Sequence, residues 1–215
     1  MDDNEMEIFD DDEEVQELRK MDDAYYAMVE KCSNILKQEF SLEETEQGPD
    51  IFSFEIFKPV ANLVNDIIFY KSDSKSLSLI VALVTYHCPN RDKSESGTGE
   101  DDCLYGHITF NKEFPVTFIY KEKFRDRLVD WFVKGDVDFK GHTQFSRSFH
   151  LVTKDRDKLN FLLENKPLDK LTSYPDLEIE ISGYSCFFRE SNDTISTLQT
   201  TRFAQLTKLM FQIFS

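Results

Sequence analysis

At 215 residues the chain is long enough to bury one large core or to divide into two small ones. Apolar residues make up 40% of it, which suits a globular fold, and the 20 phenylalanines favour a β-containing interior over a purely helical bundle. With 41 acidic against 25 basic residues the net charge is −16, which repels phosphate backbones and anionic headgroups and so excludes nucleic acids and membranes as expected partners.

Nine of the acids fall within the first fourteen positions, and taking these nine from the total leaves −7 on the rest of the chain. Residues 1–12 are expected to form a disordered acidic tail, followed by a single domain over 13–215. From Glu13 to Phe40 the apolar positions Val15, Leu18, Tyr25, Val29, Cys32 and Leu36 step by three and four, with Asp22 where a seventh would fall. That spacing predicts an N-terminal amphipathic helix over 13–40 that packs on its own domain.

Ser41 to Asp50 is polar and ends in Gly48-Pro49, which predicts a linker closed by a turn. Phe52, Phe54 and Ile56 alternate with polar neighbours as in a strand, and Ile67 to Tyr70 gives a second β-like run. The segment Leu77–Tyr86 is almost continuously apolar and rich in β-branched residues, as in a buried central strand. Residues 89–102 contain no apolar side chain and are expected to form a flexible loop.

Leu104–Phe110 and Phe114–Tyr120 predict a hairpin around Asn111-Lys112-Glu113. Phe124, Leu128, Trp131 and Phe132 predict a helix over 121–134, with Gly135 placed to end it. Phe145, Phe149 and Leu151 are expected on one face of a strand. Asp155 opens a helix carrying Leu159, Leu162 and Leu163, which Pro167 kinks or restarts. Leu177, Ile179 and Ile181 alternate with Glu178 and Glu180, as in a half-exposed strand, and Gly183 is expected to break it before Tyr184–Arg189 continues the sheet. Thr194–Phe214 has helical spacing. Residues 104–134 and 177–214 share a strand–strand–helix order, a hint of duplication. The whole order predicts an α+β fold: an antiparallel or mixed sheet with helices packed mainly on one face.

The strings Phe114-Pro115-Val116-Thr117-Phe118, Gly135-Asp136-Val137-Asp138-Phe139 and Phe145-Ser146-Arg147-Ser148-Phe149-His150-Leu151, with the leucine-rich helix and strand that follow, resemble a family of uncharacterised bacterial proteins. The resemblance covers residues 114–190. It implies a similar α+β fold and a bacterial source, and it brings no activity. Some members of that family carry membrane anchors, whereas no stretch here approaches the run of about eighteen apolar residues that a span needs.

Few residue patterns point to chemistry. Cys32, Cys88, Cys103 and Cys186 are scattered, and the N-terminus opens with acids where a secretory signal would be basic, so reduced thiols and a cytoplasmic location are expected. His87, Cys88, Cys103 and His107 flank the polar loop and are the metal candidates. They lack the paired knuckle spacing of structural zinc sites, and no metal or cofactor is expected. Pro49-Asp50, Glu55 and Lys58 come near the pattern of metal-dependent nucleases, which requires the Glu and Lys two apart on one strand face rather than three. The pairs Asp136/Asp138 and Glu178/Glu180 would each place two carboxylates on one face of an extended segment. Asp136, however, suits a turn after Gly135, and the two glutamates suit the wet face of a strand. His107, Asp136 and Asp138 are the catalytic candidates.

These features point to a non-catalytic interaction protein that uses an acidic surface to bind a basic protein partner, as an immunity or inhibitor protein does. The alternative is a small hydrolase or metal-dependent enzyme with a site near residues 87–107.

Overall fold

The computed structural model describes residues 13–73, 78–87, 100–121, 139, 141–190 and 195–215. The expected tail over 1–12, all but the first residue of the helix over 121–134, and most of the loop over 89–102 lie outside them.

Helix α1 (Glu13–Phe40) has the bounds its periodicity predicts. It ends where Ser41 turns into the left-handed region at φ 53° and the Leu42 N–H bonds back to the Lys37 carbonyl at 3.2 Å. That six-to-one closure usually recruits glycine. The helix buries Cys32, Ser33 and Leu36.

Six strands form one antiparallel sheet: β1 (Glu43–Thr45), β2 (Val64–Asp73), β3 (Ser78–His87), β4 (Glu100–Tyr120), β5 (His150–Thr153) and β6 (Leu177–Glu190). Their order is β1-β2-β3-β4-β5, with β6 also paired to β4. Strand β3 lies between β2 and β4. Its Leu79, Val81 and Leu83 enter the core beneath the helices, while Ala82 and Val84 enter a second core on the opposite face. Burial on both faces explains the unbroken apolar run.

The helices cover the first face: α1, α2 (Thr143–Ser148), α3 (Arg156–Leu163) and α4 (Thr197–Phe214). Asp155 caps α3 by accepting from the Lys158 N–H at 3.0 Å, and Ser196 caps α4 through the Gln199 N–H at 3.2 Å. The second face is covered by Ile51, Phe54, Ile56 and Phe57. No helix among the described residues is long and apolar enough to cross a membrane.

Five local expectations are corrected. Phe52–Ile56 is not a strand: Ile51–Ser53 and Lys58–Leu63 are 3-10 turns. Ile51, Phe54 and Phe57 bury at a three-residue period, Ile56 buries beside them, and Phe52 is exposed. The polar stretch 41–50 contains β1, which pairs with Phe69–Lys71. Asn111–Glu113 makes no hairpin turn, because β4 runs through it and only its register against β6 shifts there. Phe145 and Phe149 lie four apart on and just after the short helix α2, and β5 begins only at His150. Glu100–Asp102, the end of the expected loop, instead opens β4.

Gly183 bends β6 rather than breaking it. Its φ is +59°, and the strand continues on either side. Arg189 Nε meets Glu178 Oε2 at 2.5 Å. Eleven residues of straight strand would hold these groups roughly 36 Å apart. The two halves of β6 therefore fold toward each other on the second face, and β4 follows through its bulge. The hairpin expected in 104–120 and the two strands expected in 177–189 are each one long bent strand.

Candidate functional site

The fold assembles two groups of buried polar side chains. The first lies where β6 ends at Glu190 while β4 runs on to Glu100. Asp102 is 1% exposed. The β3–β4 register sets it opposite Thr85, whose Oγ1 donates to Asp102 Oδ1 at 2.5 Å. Tyr25 of α1 donates its hydroxyl to the other oxygen. Beside this carboxylate is a cavity of about 230 Å³, lined by Asp102, Leu104, Glu190, Ile195, Arg202 and Phe203 among others. Arg202 grips Glu190 in a fork, Nε to Oε2 and Nη2 to Oε1, both at 2.7 Å. Its Nη2 also donates to the Ser173 carbonyl at 2.5 Å, and its guanidinium lies over the Tyr174 ring at 5.0 Å.

The second group lines the folded-over face of β4 and β6. Arg189 donates to Glu178 and, through Nη1, to the Tyr105 hydroxyl at 2.8 Å. Burial pushes the Tyr105 pKa up to about 12, against the attraction of Arg189. Burial alone would lower the Arg189 pKa, but Tyr105 and Glu178 outweigh it and hold it above its usual range. Glu180 accepts the Ile56 N–H at 3.1 Å and a second backbone N–H from Glu55. Burial lifts its pKa to about 7, opposed by those two hydrogen bonds.

Glu178 and Glu180 are thus the reverse of the expected solvent-facing pair: both are buried. Alternation along β6 assigns them correctly to the face opposite Leu177, Ile179 and Ile181. That face is dry because the strand folds over on it and the 51–57 segment covers it.

His107 lies on the same second face, its ring 5.7 Å from that of Phe54. Its Nδ1 is buried without a hydrogen-bond partner, and burial lowers its pKa to about 4, so the imidazole is neutral at pH 7. Cys103 is buried four residues earlier on that face, roughly 13 Å away along an extended strand. The structure does not bring the two together. The side chain of His87 and the residues Cys88, Asp136 and Asp138 lie outside the described residues. Among the described residues no three His, Cys, Asp or Glu side chains gather as a metal site would require. Glu55 and Lys58, from the near-nuclease pattern, pair with each other at 2.6 Å.

Sequence reasoning missed Asp102, Glu190 and Arg202. Asp102 sits in the acidic end of an apolar-free stretch, and nothing in the spacing of Glu190 and Arg202 marks them as a pair. No protein-family model, curated protein or solved structure matches this chain.

Proposed function

We propose that the protein is a non-catalytic interaction protein whose acidic surface binds a basic protein partner, in the manner of an immunity or inhibitor protein. The placement of its acids supports this reading most. Among the residues whose burial is described, the only buried carboxylates are Asp102, Glu178 and Glu180, and most of the other acids are exposed. Glu43, Glu44, Glu46 and Asp50 are all exposed, with no Lys or Arg between them in the chain, on and just after the edge strand β1, while Glu39 at the end of α1 pairs with Lys208.

A field of one sign steers an oppositely charged partner and acts more on the rate of association than on affinity. The test is affinity capture from the native lysate, followed by association kinetics at rising salt. The on-rate falls steeply as the Debye length shrinks from ~10 Å toward ~3 Å. A captured partner whose on-rate ignores salt overturns the electrostatic reading.

The cavity beside Asp102–Leu104 favours a second reading, a small hydrolase or metal-dependent enzyme with a site near 87–107. Turnover of a small substrate by the purified protein, lost on His107→Ala or Asp138→Ala, supports that reading over the first.

A further inference from the structure

We propose that the cavity between β4, β6 and α4 binds a small organic cation, an ammonium group on a short apolar body, with the Asp102 carboxylate as its counter-ion. This goes beyond the surface interaction above and does not depend on it.

The argument starts from an imbalance of charge. Asp102 is almost fully buried, yet the groups that hold it are two neutral hydroxyls, those of Tyr25 and Thr85. Hydroxyl donors hydrogen-bond a carboxylate without neutralising it, and a buried carboxylate is costly unless a cation pairs with it. Among the described residues no Lys or Arg makes that pair. Arg202, the cation on the cavity wall, is committed elsewhere: its fork closes on both oxygens of Glu190, and Nη2 also holds Ser173. The Glu190–Arg202 pair is internally neutral, which leaves Asp102 as the net charge among the described residues that line the cavity. Each carboxylate oxygen accepts about two hydrogen bonds, so each retains one direction for a further donor.

The geometry then selects the sign and size of the ligand. Among the described residues an anion finds no free cation here, and the Gln199 N–H in the first turn of α4 is already taken by Ser196. Asp102 and Arg202 both line the cavity, and with Asp102 1% exposed and the Arg202 side chain 40% exposed, the acid is the deeper of the two. Leu104, Ile195 and Phe203 supply apolar walls for the body of the ligand. The volume of about 230 Å³ exceeds the roughly 150 Å³ of an engineered cavity that takes benzene. It therefore has room for a ring or short alkyl chain with its ammonium group.

The probes are benzylammonium and n-butylammonium chloride, with benzyl alcohol as the neutral isostere and benzoate as the anion. Each is titrated into the full-length protein while the amide resonances of residues 102–104 and 195–203 are followed by NMR. At least one ammonium probe is expected to saturate with shifts confined to those residues. It should bind at least tenfold more tightly than benzyl alcohol, with no binding by benzoate. Asp102→Asn should bring the ammonium probe down to the level of the alcohol. Because that change also disturbs the contacts to Tyr25 and Thr85, Ile195→Phe serves as a second variant, filling the cavity while keeping the carboxylate, and should abolish binding. The proposal is overturned if neither ammonium saturates, if alcohol and ammonium bind alike, or if binding survives Ile195→Phe.

Discussion

Arg189 and Glu178 lie on one strand, eleven positions apart, and are joined by a 2.5 Å hydrogen bond that only a folded-over strand permits. Both side chains are about nine-tenths buried, and the guanidinium also holds the Tyr105 hydroxyl. Breaking such a pair from one side leaves an uncompensated charge in the core. Arg189→Met alone and Glu178→Leu alone should each cost about 3–5 kcal/mol in urea unfolding. The double variant should cost far less than the sum, because the two changes are strongly coupled. Additive costs would show that the ion pair does not join the two halves of β6.

Glu180 makes stability depend on pH in the opposite sense to an ordinary paired carboxylate. Its pKa is near 4.5 in the unfolded chain and about 7 in the fold, so the folded state favours the protonated form. The stability it contributes is fully present below pH 4.5 and is lost as pH rises through about 7. The full effect is about 3 kcal/mol at one pKa unit per 1.36 kcal/mol. Glu55 and Lys58 lie close enough to push this value in opposite directions, up and down respectively. Glu180→Gln keeps an acceptor for the Ile56 N–H and carries no charge. Its stability relative to the native protein should therefore rise between pH 5 and pH 8. A flat difference across that range would place the carboxylate in contact with water.

Ser41 stands at a position that glycine fills at lower cost. Its φ of 53° is left-handed, its side chain is exposed, and it closes α1 onto Leu42. Ser41→Gly should stabilise the protein by roughly 0.5–1 kcal/mol, the strain relieved less the added freedom of the unfolded chain. The check is the midpoint of urea unfolding at an unchanged slope. A lower midpoint would mean that α1 does not end in the left-handed closure.

These positions also show what the sequence could disclose. The limits of α1, the double-sided burial of β3 and the Asp155 cap follow from spacing and capping within one element, and all were legible. The α+β class followed from their order. The candidate site was not legible, because its parts meet only through register and bending. Asp102 is buried by Thr85 across the sheet and by Tyr25, 77 positions away. Glu178 reads as a wet residue until the chain turns at Gly183 and returns Arg189 to it. Phe52, Phe54 and Ile56 alternate as a strand would, but only Phe54 and Ile56 bury, and Ile51 and Phe57 join Phe54 at a three-residue period. Apolar content alone does not separate those two periods over so short a segment.

Gly106 lies directly opposite Phe188 in the β4–β6 register, and the Phe188 ring covers it. A Cβ built on Gly106 would come within 2.2–2.7 Å of three ring atoms, closer than any carbon tolerates. The ring has little room to retreat, being fully buried and stacked on Phe203 of α4 at 5.7 Å. Gly106→Ala should therefore cost about 1–3 kcal/mol by overpacking, and Phe188→Ala about 3–5 kcal/mol by opening a cavity. Phe188→Leu shortens the ring side chain over the glycine, so the pair Gly106→Ala with Phe188→Leu should be less destabilised than the two single changes added together. Phe203 also walls the cavity beside Asp102, so a ring displaced by Gly106→Ala presses toward that space. Gly106→Ala should then weaken binding of an ammonium probe as well as stability, whereas Ser41→Gly should leave that binding unchanged. Full stability of Gly106→Ala would mean that Phe188 does not lie over Gly106, and the path from this strand pair to the cavity would be lost with it.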